Sequence, residues 1–355
     1  FTPSQDLGDP NLSPEIKKEY EIGTDIRFFD NKVKIGYSYF YNTTDDVFFN
    51  LSLANSSGYD EIFTNAGKIE NKGMEVDLGY DIFQTEDFKI NLTANWSYYR
   101  NKVLDLKGVE SIRLGGLSAV SGRAVEGYPL GVFWGTKFSR NDDGSIFLNS
   151  NGFPTLAPEN GVIGDPHPDW QGGVGTTITW KNLNLYFLFE TYQGADIYAG
   201  TKAVLLNYGR HRDSGVETVA EKDLFDYNGG LITSGTSFRG TVHDFGAGDV
   251  ALTESWYRGI GGYFSGVQEQ FVEDGSWTRL REVTLSYSLR GPRFKKSTKL
   301  SSIDFSLTGR NLHIWTNFIG NDPDTNLTEV STTRGIDYFN NPGTKSYVFK
   351  ITLNY

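Results

Sequence analysis

Polar and apolar residues alternate along most of this chain with a period of two. The last nine residues show it best: Tyr347, Phe349, Ile351, Leu353 and Tyr355 share one strand face, while Lys350, Thr352 and Asn354 lie on the other. The same unit recurs upstream. Tyr20, Ile22, Ile26 and Phe28 interleave with Glu21, Gly23, Asp25 and Arg27, and after Asp30-Asn31-Lys32 come Val33, Ile35, Tyr37, Tyr39 and Tyr41. Met74, Val76, Leu78, Tyr80 and Ile82 oppose Glu75, Asp77, Gly79 and Asp81, and Phe88 to Tyr98 continues the alternation. Further strands are predicted over 170–180, 183–189, 283–289 and 303–307, with a less regular one at 130–138. Segments of nine or more residues suit a tilted strand crossing a bilayer, which needs about 9–11. Soluble strands average about 5–6 residues, so a water-soluble β-sandwich is the second reading.

Connections alternate in length. Tight turns are predicted near 30, 85 and 181, with a medium connection at 291–299. Long polar stretches fill 43–67, 99–129, 139–168, 193–276 and 311–345. Outer-membrane barrels have short periplasmic turns and long extracellular loops, so the rhythm also predicts orientation, with 193–276 as a long extracellular loop. An even number of crossings must separate the strand near Tyr98 from the one near Trp170. Either Ser145–Asn149 supplies a second strand or 130–138 belongs to a loop hairpin. The count is about 9–11 strands.

Composition sharpens this picture. Aromatic residues are 15% of the chain, as girdles at two membrane interfaces require, and Tyr41, Trp96, Tyr98 and Trp180 fall near strand ends. There is no cysteine, hence no disulfide or thiol chemistry. With 33 basic against 44 acidic residues, nucleic acid is an unsuitable partner. Phe1-Thr-Pro-Ser-Gln5 lacks signal-peptide character, so a preceding segment is expected.

Several motifs carry a family resemblance. Leu12-Ser-Pro-Glu15 with Lys18-Glu-Tyr-Glu-Ile-Gly23, Asn65-Ala-Gly-Lys-Ile-Glu-Asn-Lys-Gly-Met-Glu75, Gly127-Tyr-Pro-Leu-Gly-Val-Phe-Trp-Gly135 and Gly164-Asp-Pro-His-Pro-Asp-Trp170 occur in order. Asp274-Gly-Ser-Trp-Thr-Arg-Leu-Arg-Glu-Val283, Gly309-Arg-Asn-Leu312, Gly320-Asn-Asp-Pro-Asp324 and Tyr338-Phe-Asn-Asn-Pro-Gly343 follow. Together they resemble the C-terminal half-barrel of SusC/RagA-like TonB-dependent transporters of Bacteroidetes, and the aromatic terminal strand is similar to the assembly signal of outer-membrane barrels. The resemblance implies residues 1–355 are the last part of a 22-stranded barrel with a plugged lumen. It implies an outer-membrane location and TonB-energised import of oligosaccharides or peptides, with a plug and first half-barrel outside this chain, and a SusD-like surface lipoprotein as lid. A siderophore or vitamin receptor, or a barrel recruited as a scaffold in a larger assembly, are the alternative readings.

Candidate chemistry is sparse, and no catalytic residues, metal ligands or cofactors are expected. His167, His211, His243 and His313 are scattered and read as loop residues. Asp322-Pro-Asp324-Thr-Asn326 opens like a calcium loop but has Leu327 where glycine is needed, so it reads as a turn, as does Asn141-Asp-Asp-Gly144. Candidate substrate contacts are the loop aromatics Tyr198, Tyr208, Trp256, Tyr257, Tyr263 and Phe264, with Arg210 and Arg212 for an anionic ligand. The competing reading has these rings packing the loop against itself. Glu75, Asp77, Asp81 and Glu190 are expected to face the lumen.

Overall fold

The computed structural model describes residues 6–328 and 331–355; the Phe1–Gln5 start lies outside them. Its frame is a nine-strand antiparallel meander in which each strand pairs with the next. The strands are β1 (Ile16–Phe28), β2 (Val33–Ser52), β3 (Glu61–Gln84), β4 (Phe88–Asp105), β5 (Trp170–Trp180), β6 (Leu183–Gln193), β7 (Trp277–Arg290), β8 (Ser302–Thr316) and β9 (Ser346–Asn354). A short strand, Asp6–Gly8, joins parallel to the start of β3. The wall is a partial barrel, and β1 and β9 are its two edges.

The register confirms the two faces. Across one outward row Ile26, Ile35, Leu78, Ala94, Val174 and Phe189 are successive partners. Farther round, Leu185, Leu285, Leu307 and Phe349 continue the apolar face onto β9. These side chains stay accessible because lipid, not protein, is their solvent: Leu285, Leu307 and Phe349 are all exposed. No helix among the described residues is long and apolar enough to cross a membrane.

One open choice closes and two expectations change. First, β4 pairs directly with β5, so 106–169 is a single loop that contains 130–138, and the meander of the described residues has nine strands, the low end of the expected range. Val132–Gly135 lies in that loop, in a four-stranded sheet with Ser111–Gly116, Ser121–Val125 and Gly161–Gly164. Ser145–Asn149 is in a small hairpin bridged at Phe138–Leu156, Arg140–Ile146 and Leu148–Pro154. Second, several strands run beyond the expected loop boundaries: β2 ends at Ser52, β3 starts at Glu61, β4 ends at Asp105 and β8 at Thr316. Alternation stops there because both faces have left the lipid, yet the backbone ladder continues. Third, His313 lies in β8, its ring edge-on to Trp315. The other histidines are in loops.

Long connections gather at one end of the wall and short ones at the other. The short ones are the turns 29–32, 85–87 and 181–182 and the link holding helix α1 (Pro292–Thr298). The loops 106–169, 194–276 and 317–345 share one core. Val120, Phe133 and Phe153 from the first, Tyr198, Trp256, Tyr257, Tyr263 and Phe271 from the second, and Ile336 from the third pack together. Thr332 and Thr333 lie against glycines of the first loop: a Cβ on Gly122 would collide with the Thr332 carbonyl. Ile336–Asp337 pairs with Asp196–Ala199 of the second loop. The third loop therefore runs between the other two and ties them into one cap.

Candidate functional site

The inner face of the wall is polar and follows from the same pleat. One row runs Asp25, Gly36, Asp77, Asn95, Gly173, Glu190 and Arg279 across seven strands. The next row toward the cap runs Gly23, Ser38, Glu75, Ser97, Gln171, Tyr192 and Trp277. Glu75, Asp77 and Glu190 thus stand on the expected face, and Asp81 pairs with Asn91, its carboxylate accepting from Asn91 Nδ2 at 2.9 Å. Glycines keep the floor low. A Cβ on Gly175 would lie 2.8 Å from Thr93 Oγ1, so this position stays bare, within a concavity of about 450 Å³ lined by Asp25, Asp77 and Asn95.

Where this floor meets the cap, charged and aromatic groups converge. The Arg281 guanidinium donates to Glu190 Oε2 at 2.5 Å and to Asn311 Oδ1 at 3.0 Å, and lies 3.4 Å from Asp324. Arg279 donates to Asp322 at 2.6 Å and lies 3.8 Å from Asp324; both members of the Arg279–Asp322 pair are buried. Its Nε finds no acceptor among the described residues. Tyr192 and Trp277 stack at 6.0 Å between centroids, with interplanar angle 11°. Arg279 and Arg281 sit over Trp277 at 5.2 and 5.6 Å, and Arg334 over Tyr192 at 5.4 Å. Burial pushes the Asp324 carboxyl up, while Arg279 and Arg281 pull it back down. The space beside this group, about 610 Å³, is lined by Glu75, Asp77, Glu190, Tyr192, Trp277, Asp324 and Arg334. Trp277 itself is buried beneath Tyr192 and the two arginines, so what the space offers a ligand is the half-buried Tyr192 ring, both charge signs and an open polar floor.

The loop residues expected to touch substrate separate into two sets. Tyr198, Trp256, Tyr257 and Tyr263 are buried in the cap core and present no ring face outward. Tyr198 donates to Gln268 Oε1, and Trp256 packs on Phe153, Tyr227 and Phe245. Burial raises the Tyr198 and Tyr263 hydroxyls, the latter to about 12. For these four, packing of the loop against itself describes their surroundings. Tyr208 and Phe264, each 63% exposed, meet edge to face at 5.9 Å. Arg210 and Arg212 are exposed nearby in sequence. The structure does not bring this set to the Trp277 cluster's cavity lining.

Sequence reasoning missed Tyr192, Trp277, Arg279, Arg281 and Arg334 as a group. A signal was present in two motifs, Asp274–Val283 and Gly320–Asp324, which hold the two halves of the network 43 residues apart. Asp322 and Asp324 are indeed in a turn, with Asp324 N bonded to Asp322 Oδ1, and their carboxylates answer arginines.

Comparison with known proteins places this geometry. The sequence profile of the family described as "TonB dependent receptor-like, beta-barrel" matches residues 1–193. TonB-dependent receptor P3 of Formosa agariphila is 24% identical over 380 residues, covering 99% of this chain and 35% of that protein. TonB-dependent receptor SusC of Bacteroides thetaiotaomicron is 24% identical over 296 residues, covering 79% of this chain and 26% of that one. The solved RagAB peptide transporter superposes with a TM-score of 0.70 at 20% identity, over 98% of this chain and 36% of that chain. This chain spans about a third of the length of the curated relatives P3, P26 and P39. A wall of nine amphipathic strands, a long-looped end and a family match over more than half the residues agree: the chain belongs to the TonB-dependent receptor-like β-barrel family and is part of a barrel of the bacterial outer membrane.

Proposed function

We propose that this chain is the C-terminal portion of a receptor that actively imports oligosaccharides or peptides. TonB would supply the energy through a plug carried elsewhere in the full-length protein, and a SusD-like surface lipoprotein would close the extracellular end. The remaining barrel strands would complete the wall, since open sheet edges are not tolerated in lipid. In this reading residues 193–276 belong to the extracellular side, with the shared cap as the surface that meets the lid.

The observation that carries the proposal is the ring-and-arginine cluster at the mouth of the polar inner face. Tyr192, held from behind by the buried Trp277, suits stacking on sugar rings or peptide side chains. The mixed charges of Glu190, Asp324 and Arg334 suit the termini and side chains of a peptide. SusC-like relatives and a peptide-transporting fold neighbour support the same direction.

The test is uptake of defined labelled oligosaccharides and peptides by cells carrying the full-length receptor, its deletion, or Tyr192→Ala. Loss of an aromatic anchor costs about 2 kcal/mol, or roughly 30-fold in affinity. The apparent affinity for one substrate class should weaken by that order while surface expression holds. Uptake that ignores both the deletion and the substitution would refute the proposal.

A further inference from the structure

The chain is acidic overall, with 44 acidic against 33 basic residues, yet Arg290 to Lys299 carries Arg290, Arg293, Lys295, Lys296 and Lys299 and no acid. Arg290 is accounted for: its Nε donates to Asn182 Oδ1 at 3.1 Å. The other four are exposed on and just after α1, and none has a carboxylate within ion-pair distance among the described residues. Four like charges on about two turns of helix repel one another. A helix dipole favours cations in the last turn but not Arg293 near the start.

Position supplies the missing counter-charge. Leu289 and Ile303 are the last paired residues of the lipid-facing rows of β7 and β8, and α1 lies in the link between them. Seven helical residues span about 10 Å, so all four cations stay within about one Debye length of the edge of the apolar band. Phe294, half-buried between the exposed Arg293 and Lys295, gives the helix an apolar side chain at that level. The other short turns at this rim are different: Asp30 accompanies Lys32, and Glu86 and Asp87 accompany Lys181. The basic charge is thus local to α1, not general to the rim.

We propose that α1 is a docking site for anionic phospholipid headgroups of the periplasmic leaflet, with Arg293, Lys295, Lys296 and Lys299 as the contacts. The site would hold the β7–β8 end of the wall at a fixed depth and recruit acidic lipid to it. The inference rests on the barrel orientation and is independent of what is transported.

The test is native mass spectrometry of the full-length receptor in micelles containing equal phosphatidylglycerol and phosphatidylcholine. The wild type should retain phosphatidylglycerol preferentially. Replacing all four cations by glutamine (R293Q, K295Q, K296Q, K299Q) should reduce that preference at least tenfold, given roughly fivefold per cation. The charge-preserving set R293K, K295R, K296R, K299R should keep it, and heat-modifiable mobility on gels reports assembly of each variant. If the glutamine set fails to assemble, K296Q alone should lower the preference about fivefold. An unchanged lipid ratio would overturn the proposal. So would capture of poly-glutamate with indifference to phosphatidylglycerol, which would point to an acidic protein segment instead.

Discussion

The wall and the cap are made from the same kinds of residue used in opposite ways. On the wall, Ile22, Leu285, Leu307, Phe349 and Ile351 point outward and remain exposed. In the cap, Val120, Phe133, Tyr198, Trp256 and Ile336 point inward and are nearly all hidden. The wall's stability comes from a backbone ladder with lipid as the solvent of its apolar face. The cap stands in water and must build a core of its own, drawing on three loops far apart in sequence. A surface-exposed leucine is therefore a fault in one region and the design in the other.

Substitutions that treat the two regions alike should separate them. The largest effect is expected at Arg279→Met, which leaves Asp322 buried without its partner, at a cost of about 3–5 kcal/mol. Hydrogen exchange should report lost protection in 317–345, and adding Asp322→Leu should restore most of it. Trp256→Ala removes the ring on which Phe153, Tyr227 and Phe245 pack and should cost the cap about 3–5 kcal/mol. Limited proteolysis should then open 194–276 while the wall keeps its heat-modifiable mobility. In the wall, Leu285→Lys faces lipid midway along β7 and should cost about 2–4 kcal/mol by denaturant unfolding from vesicles. Its neighbour Thr284→Lys, on the polar face, should be close to neutral. Equal costs at 284 and 285 would contradict the assigned faces.

The smallest effect concerns pH. Burial raises the carboxyl of Asp337, against hydrogen bonds from Thr201 that lower it, above the ordinary 3.8. Its folded form then holds a proton more tightly than its unfolded form. Its contribution favours the cap below that ordinary value and is lost as pH rises through the raised one. Asp337→Asn should flatten that slope, so exchange protection of 331–338 in the variant should gain on wild type between pH 4 and 7.

How much could be read from the sequence follows the same division. Alternation at Met74–Ile82 or Tyr347–Tyr355 is forced by two solvents on two faces, so the strands and their lipid-facing residues were legible. Beyond the bilayer that force disappears. Thr43, Thr44, Asp45 and Asp46 look like loop, although β2 continues through them. The cap had no period to reveal it: Trp256 and Tyr263 are recognisable as loop aromatics, but their burial depends on Phe153 and Tyr338, about 100 and 75 residues away. The Arg279–Asp322 pair was hidden for the same reason: both motifs that hold it are visible, but nothing local joins one to the other 43 residues downstream.

The threading of 317–345 between the other two loops has a consequence in time. Val120 and Phe133 emerge early in the chain, but Ile336, which they pack with, precedes only the last strand. The cap cannot finish folding until β8 has crossed and its outer loop has arrived. Completion of the cap is thus tied to completion of the wall, because the segment that joins the other two loops is itself held between the last two strands.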